Sequence, residues 1–220
     1  MIKQKDSYMT EQLSASEAYD LWAATYDMVP NKTRDAAMAM VRAWTPHIAG
    51  RTVLEIGCGT GLNTEHLAQF ASHVVGLDFS QGMLAVARQR LQGIPVDLRR
   101  HDLSIPLPLA DASLDLVLES LVLEHIENLA SLFREVARVL KPGGLLLASE
   151  LHPYRQLLGR QARFVTGCEG KDEVRIEAFG HTISELVNLA VSASLRIVEL
   201  QETYDPSGEP RLFSFVATKA

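Results

Sequence analysis

Three glycines at alternate positions, Gly57, Gly59 and Gly61, follow the apolar run TVLEI and precede a helical pattern. Glycine permits positive φ and lets a ligand approach the backbone closely. A helix that begins at such a loop presents free N–H groups and the positive end of its dipole. The loop therefore suits a carboxylate, a phosphate or a ribose, unless it is only a tight strand-to-helix turn. Two neighbours narrow the ligand. The dinucleotide fingerprint G-x-G-x-x-G needs glycine at position 62, where the chain has Leu62. Glu55, just ahead of the first glycine, would repel a pyrophosphate and suits an amine or hydroxyls instead. Asp78 ends the run VVGLD, 21 positions after Gly57. An acid at that strand end can accept from both hydroxyls of a ribose, or can cap the next helix. Asp102 in RRHDL is placed to accept from an exocyclic adenine amine, or is a plain loop aspartate.

The candidates for proton transfer are histidines just past two apolar strands. His125 in LEHIEN is a base, a substrate hydrogen-bond partner, or a histidine that packs a helix terminus. Glu124 beside it is expected to be solvated or paired. His152, after LLLASEL, is expected to face the same edge, with Pro153 fixing the chain direction and Tyr154 adding an aromatic wall or a hydroxyl. His181 reads as a local turn residue, and His47, His66, His73 and His101 as structural or exposed. Residues 152–180 are polar and irregular and carry Arg155, Arg160, Arg163 and Arg175. Arginine pairs bidentately with carboxylate or phosphate, so this segment is either a lid over an anionic acceptor, with Arg155 and Arg163 touching it, or a solvated surface. Glu202 and Asp205 form no convincing carboxylate pair. Neither Cys58 nor Cys168 has zinc-ligand spacing, so no metal is expected.

These residues need a scaffold that brings strand ends together. Helices are expected over 14–27 and 31–45, the second stopping at Pro46. Strands separated by helices of about 10–15 residues then imply βαβ units and a mainly parallel sheet. Strands are expected in TVLEI, HVVGLD, PVDLRRHDL, ASLDLVLES and LLLASEL, with helices after the glycine loop, in SQGMLAVARQRL and in NLASLFREVARVL. Lys141-Pro142-Gly143-Gly144 ends the last of these. TISELVNLAVSAS returns to helix, and LRIVELQETY and RLFSFVATK form an antiparallel pair around DPSGEP. The 220 residues suit one domain. A net charge of -6 argues against a general grip on nucleic acid. No apolar run is long enough to span a membrane, and MIKQKDSYMTEQ has no signal-like apolar core, so a cytoplasmic protein with reduced thiols is expected. No heptad or exposed apolar stripe marks an oligomer interface.

The pieces VLEIGCGTG, VVGLDFSQGML, HDL, DASLDLVLESLVLEHI and REVARVLKPGGLLLASE, in this order and spacing, resemble the class I S-adenosylmethionine-dependent methyltransferases. The match covers roughly residues 50–150, and YDLWAATYD resembles the cap helix of the small-molecule branch, which includes quinone-biosynthesis and malonyl-carrier-protein methyltransferases. The resemblance implies an α/β fold, a Rossmann-like seven-stranded sheet of order 3-2-1-4-5-7-6 with strand 7 antiparallel and helices on both faces. It implies one domain: an N-terminal helical cap over 1–48, a cofactor core over 49–150, a substrate lid over 151–180, and a helix and hairpin over 181–220. It also implies roles for S-adenosylmethionine as cofactor. Glu55 holds the methionine amino end, and the backbone of Gly57, Cys58, Gly59 and Gly61 lines it. Asp78 takes the ribose, Phe79 and Met83 flank the adenine, and Asp102 and Leu103 meet its edge. Ser120 and Leu121 pass under the methionine, Tyr26 covers it, and Arg34 reaches its carboxylate. Family members often have Ala-Gly-Phe where this chain has Ala193-Ser194-Leu195. The expected reaction is methyl transfer to a small-molecule acceptor at oxygen first and nitrogen second, driven mainly by alignment. The position after strand four, ESLVLEH, lacks the Asn/Asp-Pro-Pro-Tyr of amino-methylating nucleic-acid enzymes. The competing readings are a sensor or partner subunit that binds S-adenosylmethionine without transfer, and an NAD-dependent oxidoreductase, against which Leu62 and Glu55 speak.

Overall fold

The computed structural model describes residues 13–166 and 172–220; Cys168, Glu169 and the N-terminal stretch MIKQKDSYMTEQ lie outside them. The chain opens with α1 (Ala15–Trp22), a 3-10 turn (Tyr26–Met28), α2 (Lys32–Ala43) and α3 (Thr45–Ile48). Ser14 and Glu17 close a capping box on α1. Pro46 does not simply stop the second helix. It sits in the first turn of α3, where its missing N–H is one that a helix leaves unpaired anyway.

The core alternates strand and helix: β1 (Thr52–Ile56), α4 (Leu62–Phe70), β2 (His73–Asp78), α5 (Gln81–Arg90), β3 (Asp97–Arg100), β4 (Leu114–Ser120), a 3-10 turn (Leu123–His125), α6 (Leu129–Val139) and β5 (Leu140–Leu151). After α7 (Pro153–Leu157) and a small hairpin of β6 (Arg163–Thr166) and β7 (Asp172–Arg175) come α8 (Ile183–Ser192), β8 (Leu195–Tyr204) and β9 (Pro210–Lys219). The main sheet has seven strands in the order β3-β2-β1-β4-β5-β9-β8, with β9 antiparallel to both neighbours. This is the expected order, once the separate β6–β7 pair is set aside. The 152–180 segment is thus less irregular than expected, because it holds α7 and that hairpin.

Strand side chains alternate between faces, and the two faces carry different layers. Val53, Leu116, Leu118, Leu147 and Val216 pack under Met40, Val41, Trp44 and Leu67 of α2 and α4. Leu54, Ile56, Val117, Leu146, Ala148 and Phe215 pack under Leu132, Phe133, Val136 and Leu186 of α6 and α8. A third, smaller cluster joins the cap to the hairpin: Trp22 stacks on Phe164 at 5.1 Å between ring centroids, with Ala18 and Ile176 beside them. Lys141-Pro142-Gly143-Gly144 follows the end of α6 but forms the irregular start of β5, where Lys141 pairs with Asp115 at 2.7 Å. Among the described residues, no helix is long and apolar enough to cross a membrane.

Ser194 follows the C-cap of α8 with φ 62. A side chain in this left-handed conformation costs roughly 1–2 kcal/mol, which glycine avoids. Part of that gain is lost to glycine's greater freedom in the unfolded chain, roughly 0.5–1 kcal/mol. Ser194→Gly is therefore expected to raise Tm by about 1–4 °C in thermal unfolding; a lower Tm would mean that the serine side chain holds this corner.

Candidate active site

The loop after β1 is shaped by its neighbours. The N–H groups of Gly57 and Cys58 both donate to the Leu77 carbonyl at the end of β2, at 2.8 and 3.0 Å. Gly57 has φ 70, and a Cβ there would meet Val122 Cγ2 at 2.7 Å, so only glycine lets this loop pass under the loop that follows β4. Gly61, the N-cap of α4 at φ 82, instead faces Leu91 and Ala87 of α5. It shapes the turn and does not line the cavity, a correction to its expected place.

Asp78 ties this loop to the next element. One carboxylate oxygen accepts from the Gly59 N–H at 2.8 Å and the other from the Ser80 N–H at 2.9 Å. Burial raises its pKa to about 6, against the pull of those two N–H groups. On the α4 side of β1, Glu55 is buried and accepts from the Thr64 hydroxyl at 2.5 Å. Desolvation lifts it to about 8. Both acids lose water in the fold and gain no cation, the condition under which a carboxyl holds its proton longer.

The cap closes over this edge by two acidic ties. Asp20 accepts from the Ser80 hydroxyl at 2.6 Å and from the Gly82 N–H at 2.7 Å. Asp27 pairs with Arg90 at 2.5 Å and accepts from the Thr60 hydroxyl at 2.9 Å. Tyr19 and Tyr26 form the roof, with Tyr19 edge-on to Phe79 at 5.9 Å. Arg34 lies over the Tyr26 ring at 5.1 Å and donates to the carbonyls of Tyr26 and Val29 at 2.6 and 2.9 Å.

Beyond β4 the chain turns sharply, with Leu121 at φ 58, into the 3-10 turn that carries His125. His125 Nδ1 lies 3.2 Å from the Glu177 carbonyl and Nε2 lies 2.8 Å from the Tyr19 hydroxyl. A carbonyl only accepts, so Nδ1 carries the proton of the neutral ring, and Nε2 accepts from the phenol. Burial pushes the Tyr19 pKa well up and keeps the phenol protonated. Glu124 is paired and not solvated: it is buried, with Oε1 3.8 Å from His125 Nε2, and Oε2 has no hydrogen-bond partner among the described residues.

Between the cap and these strand ends lies a cavity of about 610 Å³. Of the sequence candidates, Tyr26, Arg34, Glu55, Gly57, Cys58, Gly59, Asp78, Phe79, Met83, Asp102, Leu103, Ser120, Leu121 and His125 line it. The others are elsewhere. His152 caps α7: its Nδ1 accepts from the Tyr154 N–H at 3.1 Å, and its Nε2 meets Glu202 at 3.0 Å. Tyr154 is exposed, away from the cavity. Arg155 is held by Asp205 at 2.5 Å and by the Pro210 carbonyl, which fastens α7 to the β8–β9 hairpin. Arg163 pairs with Glu173 at 3.4 Å across the small hairpin. Glu202 and Asp205, which the sequence did not join into a carboxylate pair, are the partners of His152 and Arg155. His181 bridges to the Ile126 carbonyl at 2.8 Å and to Glu185, a buried brace in place of a simple turn residue. Phe179 is the one residue of 152–180 on the cavity wall among the described residues.

Tyr19 was absent from the candidates. Its signal is the helical spacing of Tyr19, Trp22 and Tyr26, which sets three aromatics on one side of the cap. Thr60, inside the glycine motif, also lines the cavity, as do Asn63, Asn128 and Ser131, which carry no local motif. Glu55, Asp78 and Asp102 give the wall acceptors for amine and hydroxyl donors. Arg34 is its only lysine or arginine among the described residues, and two carbonyls already hold it. That acceptor set fits a nucleoside with an amino group and no phosphate.

Known proteins carry the same pattern. Residues 54–148 match the family described as Methyltransferase domain. An uncharacterised methyltransferase of Emericella nidulans is 32% identical over 89% of this chain and 80% of its own length. A malonyl-[acyl-carrier protein] O-methyltransferase of Methylovorus is 36% identical over 67% of this chain, which spans about half (53%) of that protein. Among solved structures, an S-adenosylmethionine-dependent methyltransferase of Mesorhizobium loti is 25% identical with a TM-score of 0.69, covering 82% of this chain and 96% of that one. The chain belongs to the class I S-adenosylmethionine-dependent methyltransferases of the small-molecule branch, whose cofactor is S-adenosylmethionine.

Proposed function

We propose that the cavity between the cap and the strand edge holds S-adenosylmethionine, and that the chain methylates a small molecule at an O–H or N–H group. The observation that carries this reading is the Tyr19–His125 pair on the wall of a cavity lined with acceptors. The bound cofactor supplies a methyl group on a sulfonium, a carbon already activated for displacement. Glu55 accepts from its amino end, with the Gly57–Gly59 backbone alongside. Asp78 accepts from the ribose, Phe79 and Met83 flank the adenine, and Asp102 with Leu103 meets the adenine edge. Ser120 and Leu121 support the methionine portion. Tyr26 covers it, and Arg34 braces Tyr26 from behind. The cap, residues 1–48 as read from the sequence, acts with Phe179 as the cover.

Tyr19 and His125 serve the acceptor. The phenol donates to His125, so its oxygen is free to accept a proton from an acceptor O–H or N–H as its own moves to Nε2. Glu124, 3.8 Å away, favours the imidazolium that results. The anionic acceptor expected from Arg155 and Arg163 loses its support, because both arginines are paired outside the cavity. A neutral or cationic acceptor suits a wall of acids better.

Titration calorimetry with S-adenosylmethionine and S-adenosylhomocysteine tests the cofactor part. Both should bind, and NAD(H) should not. Asp78 must ionise to accept well from hydroxyls, and its raised pKa of about 6 sets the pH window. Affinity should therefore rise with pH through about 6, with Kd about tenfold weaker at pH 5 than at pH 7. Asp78→Asn should weaken binding at pH 7 and remove this lower step. A step that survives in Asp78→Asn would assign the proton to another group.

Methyl transfer from labelled cofactor to a panel of alcohols, phenols and amines tests the rest. His125→Ala and Tyr19→Phe should each lower kcat by about 10²-fold or more, with cofactor Kd changed by less than about threefold. Strong cofactor binding with no turnover across the panel would favour a sensor or partner subunit.

A further inference from the structure

The α6–α8 face of the sheet holds a second set of acids, which the reading above does not use. Glu119 in β4, Glu150 in β5 and Glu124 in the 3-10 turn are all buried. Glu119 Oε1 and Glu124 Oε2 have no hydrogen-bond partner. Glu150 differs. Its two carboxylate oxygens accept from successive backbone groups of the loop after β4, the Val122 N–H at 3.0 Å and the Leu123 N–H at 3.3 Å. The preceding residue, Leu121, donates its N–H to the Ser149 carbonyl at 3.0 Å. Three consecutive N–H groups are thus held from β5, at the point where Leu121 takes a left-handed conformation that a leucine avoids. This turn places Val122 against Gly57 and His125 against Tyr19.

Among the described residues, no cation pairs with Glu150. The charged or titratable groups that act on it are Glu119, Glu124 and, from the cap, Tyr19. Burial and these neighbours push its pKa well up, and the two N–H bonds pull the other way. A buried acid among acids is a poor choice for stability. It is a good one for holding two adjacent N–H groups, one on each oxygen, whereas an amide presents an NH2 donor in place of the second oxygen.

We propose that Glu150 is a positioning residue of the active site: by gripping the N–H groups of Val122 and Leu123 it fixes the turn that stations His125 against the Tyr19 hydroxyl. Its kinetic consequence rests on the methyl-transfer reading, and its structural consequence does not.

Glu150→Gln tests it, because the amide keeps one acceptor and turns an N–H toward the other backbone N–H. Imidazole nitrogen NMR of the full chain reads the result without an acceptor. In the wild type His125 should show the Nδ1–H tautomer with a hydrogen-bonded Nε2. In Glu150→Gln that signature should be lost or averaged, while Tm stays within about 2 °C or rises. On whichever panel acceptor turns over, kcat should fall about tenfold or more, with S-adenosylhomocysteine Kd within about threefold. Adding His125→Ala to Glu150→Gln should cost far less than the product of the two single losses. Glu119→Gln removes a neighbouring acid that holds no backbone group and should leave the His125 signature and kcat unchanged. An unchanged His125 signature in Glu150→Gln, or losses that multiply in full, would overturn the proposal. So would a Glu119→Gln variant that copies the Glu150→Gln effect. If Glu150→Gln does not fold, wild-type hydrogen exchange decides: Val122 and Leu123 amides as protected as the β4–β5 ladder support the proposal, and exchange at exposed-loop rates overturns it. No turnover by the wild type on any acceptor would defeat the methyl-transfer reading while the NMR result still judged Glu150.

Discussion

The Asp78 carboxylate is the joint on which the cofactor edge depends. Held by Gly59 on one side and Ser80 on the other, it fixes the loop after β1 against the start of α5. Ser80 in turn caps α5 and donates to Asp20, so the same short stretch anchors the roof. A parallel sheet gathers the ends of β1, β2 and β4 at one edge, but it does not fix the loops there. In this protein the loops are fixed by carboxyls: buried Asp78 for the glycine loop, buried Glu150 for the turn after β4, and the more exposed Asp20 and Asp27 for the cap. All but Asp27 accept from backbone N–H groups, which do not titrate and hardly move.

This design sets the character of the cavity. Asp78 also lines it, together with Glu55 and Asp102, so it favours ligands rich in donors and poor in negative charge. The roof adds aromatic surface, and a side-chain pair suited to moving a proton, Tyr19 with His125, joins the cap to the sheet edge. The cap thus completes the site. The stack of Trp22 on Phe164 extends the closure to the β6–β7 hairpin.

Much of this was legible in the sequence, and the legible parts are local. Gly57, Gly59 and Asp78 announce themselves by spacing, strand–helix alternation yields a mainly parallel sheet with an antiparallel last pair, and the family resemblance supplies the strand order. The misplaced residues depend on distant partners. Arg155 looks like a free cation until Asp205, 50 positions on, takes it up. His152 looks like a strand-end base until α7 folds back and makes it a cap paired with Glu202. Tyr19 and His125 lie 106 positions apart, and no local pattern joins them. Glu150 reads as an ordinary polar residue near a strand end, because its role lies in backbone groups of another loop. Motifs report which loops are special, whereas the pairings that brace them are long-range.

The central claim is that the cofactor lies along this edge with its sulfur under the Tyr19–His125 pair. A crystal structure with S-adenosylhomocysteine tests it most directly. The account places the ribose at Asp78, the amino end beside Glu55 and the Gly57–Gly59 backbone, and the sulfur facing Tyr19. An adenosine found outside this cavity, or a molecule lying in the reverse direction with its amino end at Asp102, would contradict it.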